Sequence, residues 1–314
     1  MKVYREDSEI IKSKKAVVTV GSFDGLHIGH FKILNKVKEC ADQNNGSSFV
    51  VTFEPHPRSV VSKDFDLRIL TTLDEKIEIL EKTGIENLVV VNFTREFSQL
   101  TSDQFINRFL VEKIGAAHMV IGHDHKFGKD RLGDVQKLKE IGQLYNFEVS
   151  DVSPMSVDGE IVSSTAIRNA LAEGNIDKAN SFLGRSYVLS GTVVPGVQRG
   201  RLLGFPTANI QPYDSKKAIP VNGVYFVGCD VENEKHFGIM NIGYRPTFER
   251  KHELVLEVHI LNFNRDIYGK PFKISFLKRL REEKKFESKE ALVHQMELDK
   301  KTATEMANKN EIIF

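Results

Sequence analysis

The feature that most constrains the fold of this chain is a change in its hydrophobic pattern near residues 184–187. Before this point, short runs rich in β-branched residues alternate with stretches of helical spacing. The predicted strands are residues 16–20, 48–53, 87–91, 118–121 and 147–152. Strands separated by helices predict βαβ crossovers, and therefore a parallel sheet with helices on both faces. The first half is thus expected to be an α/β domain.

Beyond residues 184–187 the pattern becomes a succession of short strands. Helical stretches at residues 164–173 and 175–182 come just before it. The strand-like runs, joined by glycine, proline and asparagine turns, are residues 187–194, 223–231, 237–241, 254–261 and 273–278. This spacing predicts a β-barrel or a sandwich, with a closing helix over residues 288–300. We therefore expect two domains, residues 1–186 and 187–314, each large enough for its own core.

The composition excludes several classes of protein. The 314 residues carry a formal net charge of +1, so no overall field favours nucleic acid or an anionic membrane. No apolar run approaches the ~18 residues of a membrane span, and the first residues lack the apolar core of a signal peptide. The two cysteines, Cys40 and Cys229, give neither a disulfide framework nor a cysteine-based zinc site. We expect a cytoplasmic protein.

Residues 21–30, Gly-Ser-Phe-Asp-Gly-Leu-His-Ile-Gly-His, join the first predicted strand to a helical stretch. Such a turn directs backbone N–H groups and the positive end of a helix dipole at one point, which suits a phosphate. His27 and His30 are three residues apart at the helix start, so both imidazoles can reach the same phosphate. Two interpretations stay open, a nucleotide-phosphate site and a glycine-rich turn with two surface histidines.

Two further loops follow predicted strands. The Pro-His-Pro sequence at residues 55–57 makes a rigid exit from the second strand and fits either a stiff loop or a ligand wall. Residues 122–131 form a basic loop after the fourth strand, but they depart from a P-loop in glycine spacing and at Asp130. Their histidines and the nearby His118 lack a second ligand group at metal-binding spacing, so an anionic substrate fits this loop better than a metal.

The sequence Val-Ser-Ser-Thr-Ala-Ile-Arg at residues 162–168 places hydroxyls at a predicted helix start. Ser164 and Thr165, with Arg168 one turn later, can bind a phosphate together with the first N–H groups of the helix. A plain N-cap with a solvated arginine is the alternative.

In the second half, Gly196, Gly200 and Gly204 recur every four residues among arginines. A mobile loop of this kind can fold its amides over phosphates. Thr207 and Asn209 alternate on an extended segment, so their oxygens face one side and can hold Mg²⁺ with its phosphates. A flexible barrel loop is the alternative interpretation.

Glu257 lies in the middle of the strand-like run 254–261. It shares one face with Val255 and His259, while the leucines and other aliphatic residues take the opposite face. A carboxylate in this position is either a solvated strand residue or a functional group.

Taken together, these motifs resemble the bacterial bifunctional riboflavin kinase/FMN adenylyltransferases, also called FAD synthetases. Residues 27–30 match the H-x-G-H signature of nucleotidylyltransferases, and the second half contains G-R-x-x-G-F-P-T-A-N, N-I-G-x-R-P-T-F and E-x-H in the family's order. The resemblance covers nearly the whole chain. It implies a Rossmann-like nucleotidylyltransferase domain with a parallel sheet, followed by a riboflavin-kinase-like β-barrel with a terminal helix.

For the first domain, the resemblance implies a site that joins ATP to FMN. Three of its residues, His27, His30 and Arg168, would be catalytic. The implied ATP contacts are Gly21, Phe23, His27, His30, Ser164, Thr165 and Arg168. The implied flavin contacts are Pro55, His56, Pro57, Asp124 and Phe127. His125 departs from the family, which usually has an aromatic residue there.

For the second domain, the resemblance implies a riboflavin kinase. Glu257 would be the catalytic base that takes the proton from the riboflavin 5′-hydroxyl, and Arg281 would contact the flavin. Thr207 and Asn209 would hold Mg²⁺ with ATP. The implied ATP contacts are Gly196, Gly200, Arg201, Gly204, Thr207 and Asn209. Pro195 is a departure, since the family often has histidine there.

The implied reactions are phosphorylation of riboflavin to FMN and adenylylation of FMN to FAD with release of pyrophosphate. Riboflavin, FMN and ATP are then the partners, and neither nucleic acid nor a membrane is expected. One alternative is an FMN adenylyltransferase with an inactive or flavin-binding barrel. Another is a flavin-binding regulatory protein without turnover.

Overall fold

The computed structural model describes residues 1–5, 9–62, 66–123, 135–196, 200, 204–246 and 252–309. Its contacts divide the chain into two compact units, Met1–Ser164 and Thr165–Phe314. This division comes earlier than the change of pattern in the sequence, so the helices between the two points belong to the second unit. The assignment of the two reactions to residues 1–186 and 187–314 stays a prediction.

The first unit is built on a parallel sheet of six strands in the order β1-β4-β3-β2-β5-β6. The strands are β1 (Lys2–Tyr4), β2 (Ala16–Val20), β3 (Ser47–Glu54), β4 (Asn87–Asn92), β5 (Ala116–Gly122) and β6 (Glu148–Val152). Five of them confirm the sequence prediction. Strand β1 was not predicted, because three residues give no readable alternation.

The connections between these strands are largely helical. The helices are α1 (Ile28–Gln43), α2 (Pro57–Val61), α3 (Leu73–Glu81), α4 (Ser102–Gln104) and α5 (Val135–Tyr145), with a 3₁₀ turn at Phe97–Gln99. Helix α4 continues with the wider π spacing over Phe105–Ile114 and ends where Gly115 N–H donates to the Leu110 carbonyl at 3.0 Å. A two-stranded hairpin, β7 (Ser156–Val157) and β8 (Glu160–Ile161), follows β6.

Both faces of the sheet are buried, which explains its nearly continuous apolar strands. Val17 packs in one core with Leu34 of α1 and Leu80 of α3. Its neighbour Val18 packs in the opposite core with Leu138 of α5 and the helix that follows α4. Successive side chains of one strand therefore pack against helices on opposite faces of the sheet. This arrangement confirms the predicted α/β class.

The second unit contains a closed barrel with strand order β10-β13-β12-β11-β14-β9. Its elements are α6 (Ser164–Glu173), α7 (Ile176–Leu183), β9 (Tyr187–Val194), β10 (Ala208–Pro212), β11 (Gly223–Val231), β12 (Glu234–Pro246), β13 (His252–Ile260), β14 (Pro271–Arg281) and α8 (Lys289–Lys309). All neighbouring strands are antiparallel, and the pairing of β9 with β10 closes the barrel. Of the two architectures that the strand pattern allowed, the structure is therefore the barrel.

Candidate active sites

The turn at residues 21–30 lies at the topological switch point of the parallel sheet. It directly follows β2, and the chain then adds β3 and β4 on one side of β2 before β5 is added on the other side. Ligands of open α/β sheets bind in the crevice beyond the carboxyl ends of the strands at such a point. The sheet topology therefore favours the ligand-site interpretation of this turn.

The backbone of this turn is strained. Phe23, Gly25 and Leu26 have φ angles of 46°, 87° and 41°. A bulky residue in the left-handed region costs about 1–3 kcal/mol, and such strain is concentrated at functional sites. A Cβ atom on Gly21 would lie 3.2 Å from the Phe23 ring, so the two predicted ATP contacts lie against each other.

The predicted catalytic histidines are brought together at the start of α1. The rings of His27 and His30 are stacked, with centroids 3.6 Å apart. His27 is also the N-cap of α1, since its Nδ1 accepts a hydrogen bond from the His30 N–H at 3.3 Å. An accepting Nδ1 leaves the proton of a neutral imidazole on Nε2, which makes Nε2–H a donor for a phosphate oxygen.

Ser164 joins this turn from a distant part of the sequence. Its hydroxyl donates to the Asp24 carbonyl at 2.8 Å, and it is the first residue of α6. The first unit therefore brings the hydroxyl of the predicted Ser-Thr-x-x-Arg motif to the histidine turn. Thr165 is exposed and Arg168 half-buried, both in the first turns of α6.

Two buried charges that the sequence analysis missed hold the turn in place. The Asp24 carboxylate accepts from the N–H groups of Leu70 at 2.8 Å and Thr71 at 3.0 Å. Lys76 of α3 donates through Nζ to the Ser22 carbonyl at 2.7 Å. A signal for Lys76 was present, because it interrupts the apolar face of α3 formed by residues such as Leu80.

The Pro-His-Pro sequence lies at the same edge of the sheet, directly after β3, the neighbour of β2. His56 caps the short helix α2 by accepting from the Arg58 N–H at 3.2 Å. Pro55 is exposed, whereas His56 and Pro57 are half-buried. Just before them, the Phe53 ring meets the Phe93 ring edge-on at 5.4 Å, within a larger group of phenylalanines. This group, in which Phe53 packs against the core on one face of the sheet, thus adjoins the predicted flavin wall.

Several predicted residues lie outside the described part of the chain. They are Asp124, His125, Phe127, Asp130 and Arg201. The flavin and ATP contacts expected from three of them, Asp124, Phe127 and Arg201, stay predictions. Of the histidines considered for a metal, His118 has its Nε2 2.9 Å from the Ser150 hydroxyl.

In the second unit, the predicted kinase residues lie on adjacent strands of the barrel. Glu257 of β13 is directly opposite Asn209 of β10 and Asn241 of β12. Directly opposite residues of antiparallel strands point to the same face, with Cβ atoms about 4.5–5.5 Å apart. All three are half-buried, whereas the alternate residues Met240 and Val258 are fully buried in the barrel. The predicted base and a predicted Mg²⁺ ligand therefore share one row.

The glycines of the predicted phosphate loop lie directly against the Thr-x-Asn pair. A Cβ atom on Gly196 would lie 2.0 Å from Nδ2 of Asn209. A Cβ atom on Gly200 would lie 2.4 Å from the Phe205 carbonyl and 3.2 Å from the Thr207 hydroxyl. Glycine is therefore required at position 200, where backbone is in the way, and a side chain at position 196 would displace the Asn209 amide. Gly204 is exposed and has a φ of 82°, so glycine is favoured there by the backbone conformation and not by lack of space.

His259 links the strand of Glu257 to the segment that carries Thr207. Its Nδ1 lies 2.9 Å from the Pro206 carbonyl, and its ring meets Phe205 edge-on at 5.5 Å. The side chain is 9% exposed, and burial lowers the pKa of this imidazole. The hydrogen bond to Pro206 opposes that shift, and the charge of Lys300 adds to it.

Arg281, predicted to contact flavin, is placed in an ion pair at the end of β14. Its Nε and Nη2 donate to the carboxylate of Asp299 in α8 at 3.0 and 2.7 Å. Its Nη1 donates to the Glu282 carbonyl at 3.0 Å. Arg281 therefore links the last barrel strand to the terminal helix through an ion pair. Its contact with flavin stays a prediction.

A strained turn with two histidines at a switch point is typical of an α/β unit that binds nucleotides. On the closed barrel, a carboxylate lies in one row with two amide side chains, as the resemblance to a kinase led us to expect. Family models match each half, "FAD synthetase" over residues 9–166 and "Riboflavin kinase" over residues 183–307. The chain belongs to the FAD synthetase family, in the form that carries a riboflavin kinase domain.

Curated relatives match nearly the full chain. The bifunctional riboflavin kinase/FMN adenylyltransferase of Listeria monocytogenes is 39% identical over 90% of this chain and 90% of its own length. The protein of that name from Buchnera aphidicola is 37% identical over 91% of this chain and 92% of its own.

A solved structure from Streptococcus pneumoniae has the same fold throughout. It is 30% identical, with a TM-score of 0.86 over 96% of this chain and 98% of that one, and its title names a macrolide-efflux protein. Within the described residues of the present chain, no helix has both the length and the apolar character needed to cross a membrane. The two family models agree with the curated relatives and differ from that title.

Proposed function

We propose that this chain makes FAD from riboflavin in two ATP-dependent steps, each at its own site. The barrel phosphorylates riboflavin to FMN, and the parallel-sheet unit adenylylates FMN. The observation that carries the proposal is that each unit has its own constellation for phosphate chemistry, the stacked histidines at the switch point and the row around Glu257.

In the adenylylation step, a phosphate oxygen of FMN attacks the α-phosphorus of ATP. The new P–O bond replaces the bond to the β-phosphate, and pyrophosphate leaves. The nucleophile is already an anion, so no general base is required. Catalysis then consists of positioning and of stabilising charge on phosphate oxygens. We assign this to Nε2–H of His27, to His30, Ser164, Thr165 and Arg168, and to the N–H groups of the turn.

We place the flavin of FMN beside the Pro-His-Pro sequence at residues 55–57. Support comes from its position after β3, next to the turn, and from the aromatic group that begins at Phe53. Apolar and aromatic walls with few polar groups are typical of sites for flat cofactors. Asp124 and Phe127 would complete this wall.

In the kinase step, the nucleophile is the neutral 5′-hydroxyl of riboflavin, so a base is useful. Glu257 takes the proton, the hydroxyl oxygen bonds to the γ-phosphorus of ATP, and ADP leaves. Asn209 and Asn241 lie on either side of Glu257 in the same row. The close approach of Gly196 and Gly200 to the Thr-x-Asn pair supports a role for their backbone in binding the phosphates of ATP.

We propose that Mg²⁺ accompanies ATP at the kinase site, held by Thr207 and Asn209. Their hydroxyl and amide oxygens, beside the carboxylate of Glu257, are the hard donors that Mg²⁺ prefers. When bound, the ion neutralises charge on the phosphates of ATP. A cytoplasmic location is also part of the proposal, since the two cysteines are both unpaired thiols.

The direct test is to incubate the purified protein with riboflavin, ATP and Mg²⁺ and to separate the products by chromatography. FMN should form first and FAD should follow, with pyrophosphate released in proportion to FAD. FAD formed from FMN but not from riboflavin would restrict the activity to the first unit. Binding of flavin without any product would contradict the proposal.

A further inference from the structure

A lysine is buried beneath the backbone of the turn at residues 21–30. Lys76 is 4% exposed, and its Nζ donates to the Ser22 carbonyl at 2.7 Å and to the Thr52 hydroxyl at 3.0 Å. The Thr52 hydroxyl in turn donates to the same Ser22 carbonyl at 3.2 Å. One carbonyl of the turn is therefore held by two donors that also bond to each other.

Burying an ammonium group costs several kcal/mol unless it is well paired. Burial lowers the pKa of Lys76, and the carboxylates of Asp24 and Glu54 oppose this shift. An apolar residue would satisfy the core position more easily, because Lys76 lies on the face of α3 that also contains Leu80. A lysine at this position therefore destabilises the core relative to an apolar residue, whereas its hydrogen bonds are made to the turn and to Thr52.

The bonded carbonyl belongs to a strained part of that turn. Ser22 precedes Phe23, whose φ is 46°. In a trans peptide the C=O and the next N–H point in opposite directions. Fixing the Ser22 carbonyl on Lys76 therefore directs the Phe23 N–H away from Lys76. Bonds of this kind are what maintains a backbone conformation that the side chain disfavours.

We propose that Lys76 is a positioning residue for the adenylylation reaction: its ammonium group holds the Ser22–Phe23 peptide so that the turn presents its N–H groups to the phosphates of ATP. The inference rests on the proposed binding of ATP at residues 21–30. Asp24 complements it, since its carboxylate fixes the next residue of the turn to the Leu70 and Thr71 amides. The segment from Leu70 to Lys76 thus holds the turn on both sides of Phe23, at Ser22 and at Asp24.

The test uses the full-length enzyme with Lys76→Met, which keeps the length of the side chain and removes its charge and donors. Methionine fills the space of the lysine stem and removes the desolvation cost of the ammonium group, whereas it also removes a positive charge that favours the carboxylates of Asp24 and Glu54. We expect normal cooperative melting and normal riboflavin phosphorylation. We expect kcat/KM for ATP in FAD formation to fall by about 10- to 100-fold, an effect equal to the loss of a charged hydrogen bond.

The matched control is Lys82→Met, at the exposed C-cap of the same helix, which should behave like wild type. Lys76→Gln keeps a donor without the charge and should recover part of the loss. A wild-type kcat/KM for ATP in FAD formation, in either folded Lys76 variant, would overturn the inference. Loss of cooperative melting in both would assign Lys76 to the fold alone and would also overturn it.

Measuring His27→Ala in parallel separates this inference from the proposed site. Normal FAD formation by His27→Ala would show that the site itself is wrong. Loss of FAD formation by His27→Ala, together with an unchanged Lys76→Met enzyme, would show that only the role of Lys76 is wrong.

Discussion

The Arg281 guanidinium holds the Asp299 carboxylate through both Nε and Nη2, at 3.0 and 2.7 Å, and so joins the last barrel strand to the terminal helix. The two side chains are 16% and 9% exposed. Gln295 adds a further donor to Asp299 at 2.9 Å. A pair this well enclosed and hydrogen-bonded differs from a surface ion pair, because removing one partner leaves the other charge buried.

Asp299→Asn should therefore destabilise the barrel unit by about 3–5 kcal/mol. Denaturant unfolding, with retained riboflavin kinase activity as the second readout, measures this loss. The matched control is Asp177→Asn, whose carboxylate is 3.9 Å from Lys278 and 70% exposed. That change should cost less than about 1 kcal/mol. Equal losses in the two variants would show that the buried pair contributes no more than the surface pair.

His27→Ala or His30→Ala should reduce FAD formation from FMN by about 10²–10³-fold, the usual effect of removing one charge-stabilising contact. Phosphorylation of riboflavin by the same molecule is the internal control and should be unchanged. Steady-state rates of FAD and FMN formation give both numbers. Normal FAD formation by His30→Ala would remove that histidine from the site.

Glu257→Gln keeps the size and hydrogen bonding of the side chain but cannot accept the proton. FMN formation from riboflavin should fall by about 10²–10⁴-fold, whereas FAD formation from supplied FMN should stay normal. Glu287→Gln changes an exposed glutamate just before α8 and serves as the matched control. Glu257 is only a solvated strand residue if its variant phosphorylates riboflavin at the wild-type rate.

Protonation of His259 should destabilise the barrel unit in mild acid. Burial lowers the pKa of this histidine in the folded state, so the unfolded chain binds the proton more readily. Stability from this group is thus complete above the unfolded pKa of about 6.5 and is lost as pH falls below it, by at most about 1.4 kcal/mol per pH unit. His259→Gln should weaken the pH dependence of unfolding, and the exposed His294→Gln should not.

Separate halves of the chain should each keep one reaction. A fragment of residues 1–186 should make FAD from FMN, and a fragment of residues 187–314 should make FMN from riboflavin. Asn180 of α7 donates to the Phe276 carbonyl at 2.9 Å and accepts from the Tyr187 N–H at 2.8 Å. A fragment that starts at residue 165 should therefore be more stable than one that starts at residue 187, by about 1–3 kcal/mol. FMN made by the first fragment alone would mean that the two reactions were assigned to the wrong halves.

The positions of the strands of the parallel sheet were predictable from local patterns. A strand buried on both faces is apolar at nearly every position, as at Val17 and Val18, so it can be recognised without knowing its neighbours. Local patterns did not predict which strands pair. The register that places Glu257 between Asn209 and Asn241 depends on long-range pairing, and a slip of one residue would turn Glu257 to the other face. Asp24 was missed for a similar reason, since its partners Leu70 and Thr71 lie on another segment, and the position of Lys76 on the apolar face of α3 did not reveal its partner Ser22.

His27 caps its own helix with the ring that we propose for binding phosphate. The capping bond favours the neutral imidazole with its proton on Nε2 and holds the ring at the start of the helix. One side chain therefore both caps the helix and carries the imidazole proposed for phosphate binding. Among the common residues, asparagine caps a helix at least as well but has no imidazole. An asparagine at position 27 would keep the cap and lose the imidazole, so capping alone does not explain a histidine at this position.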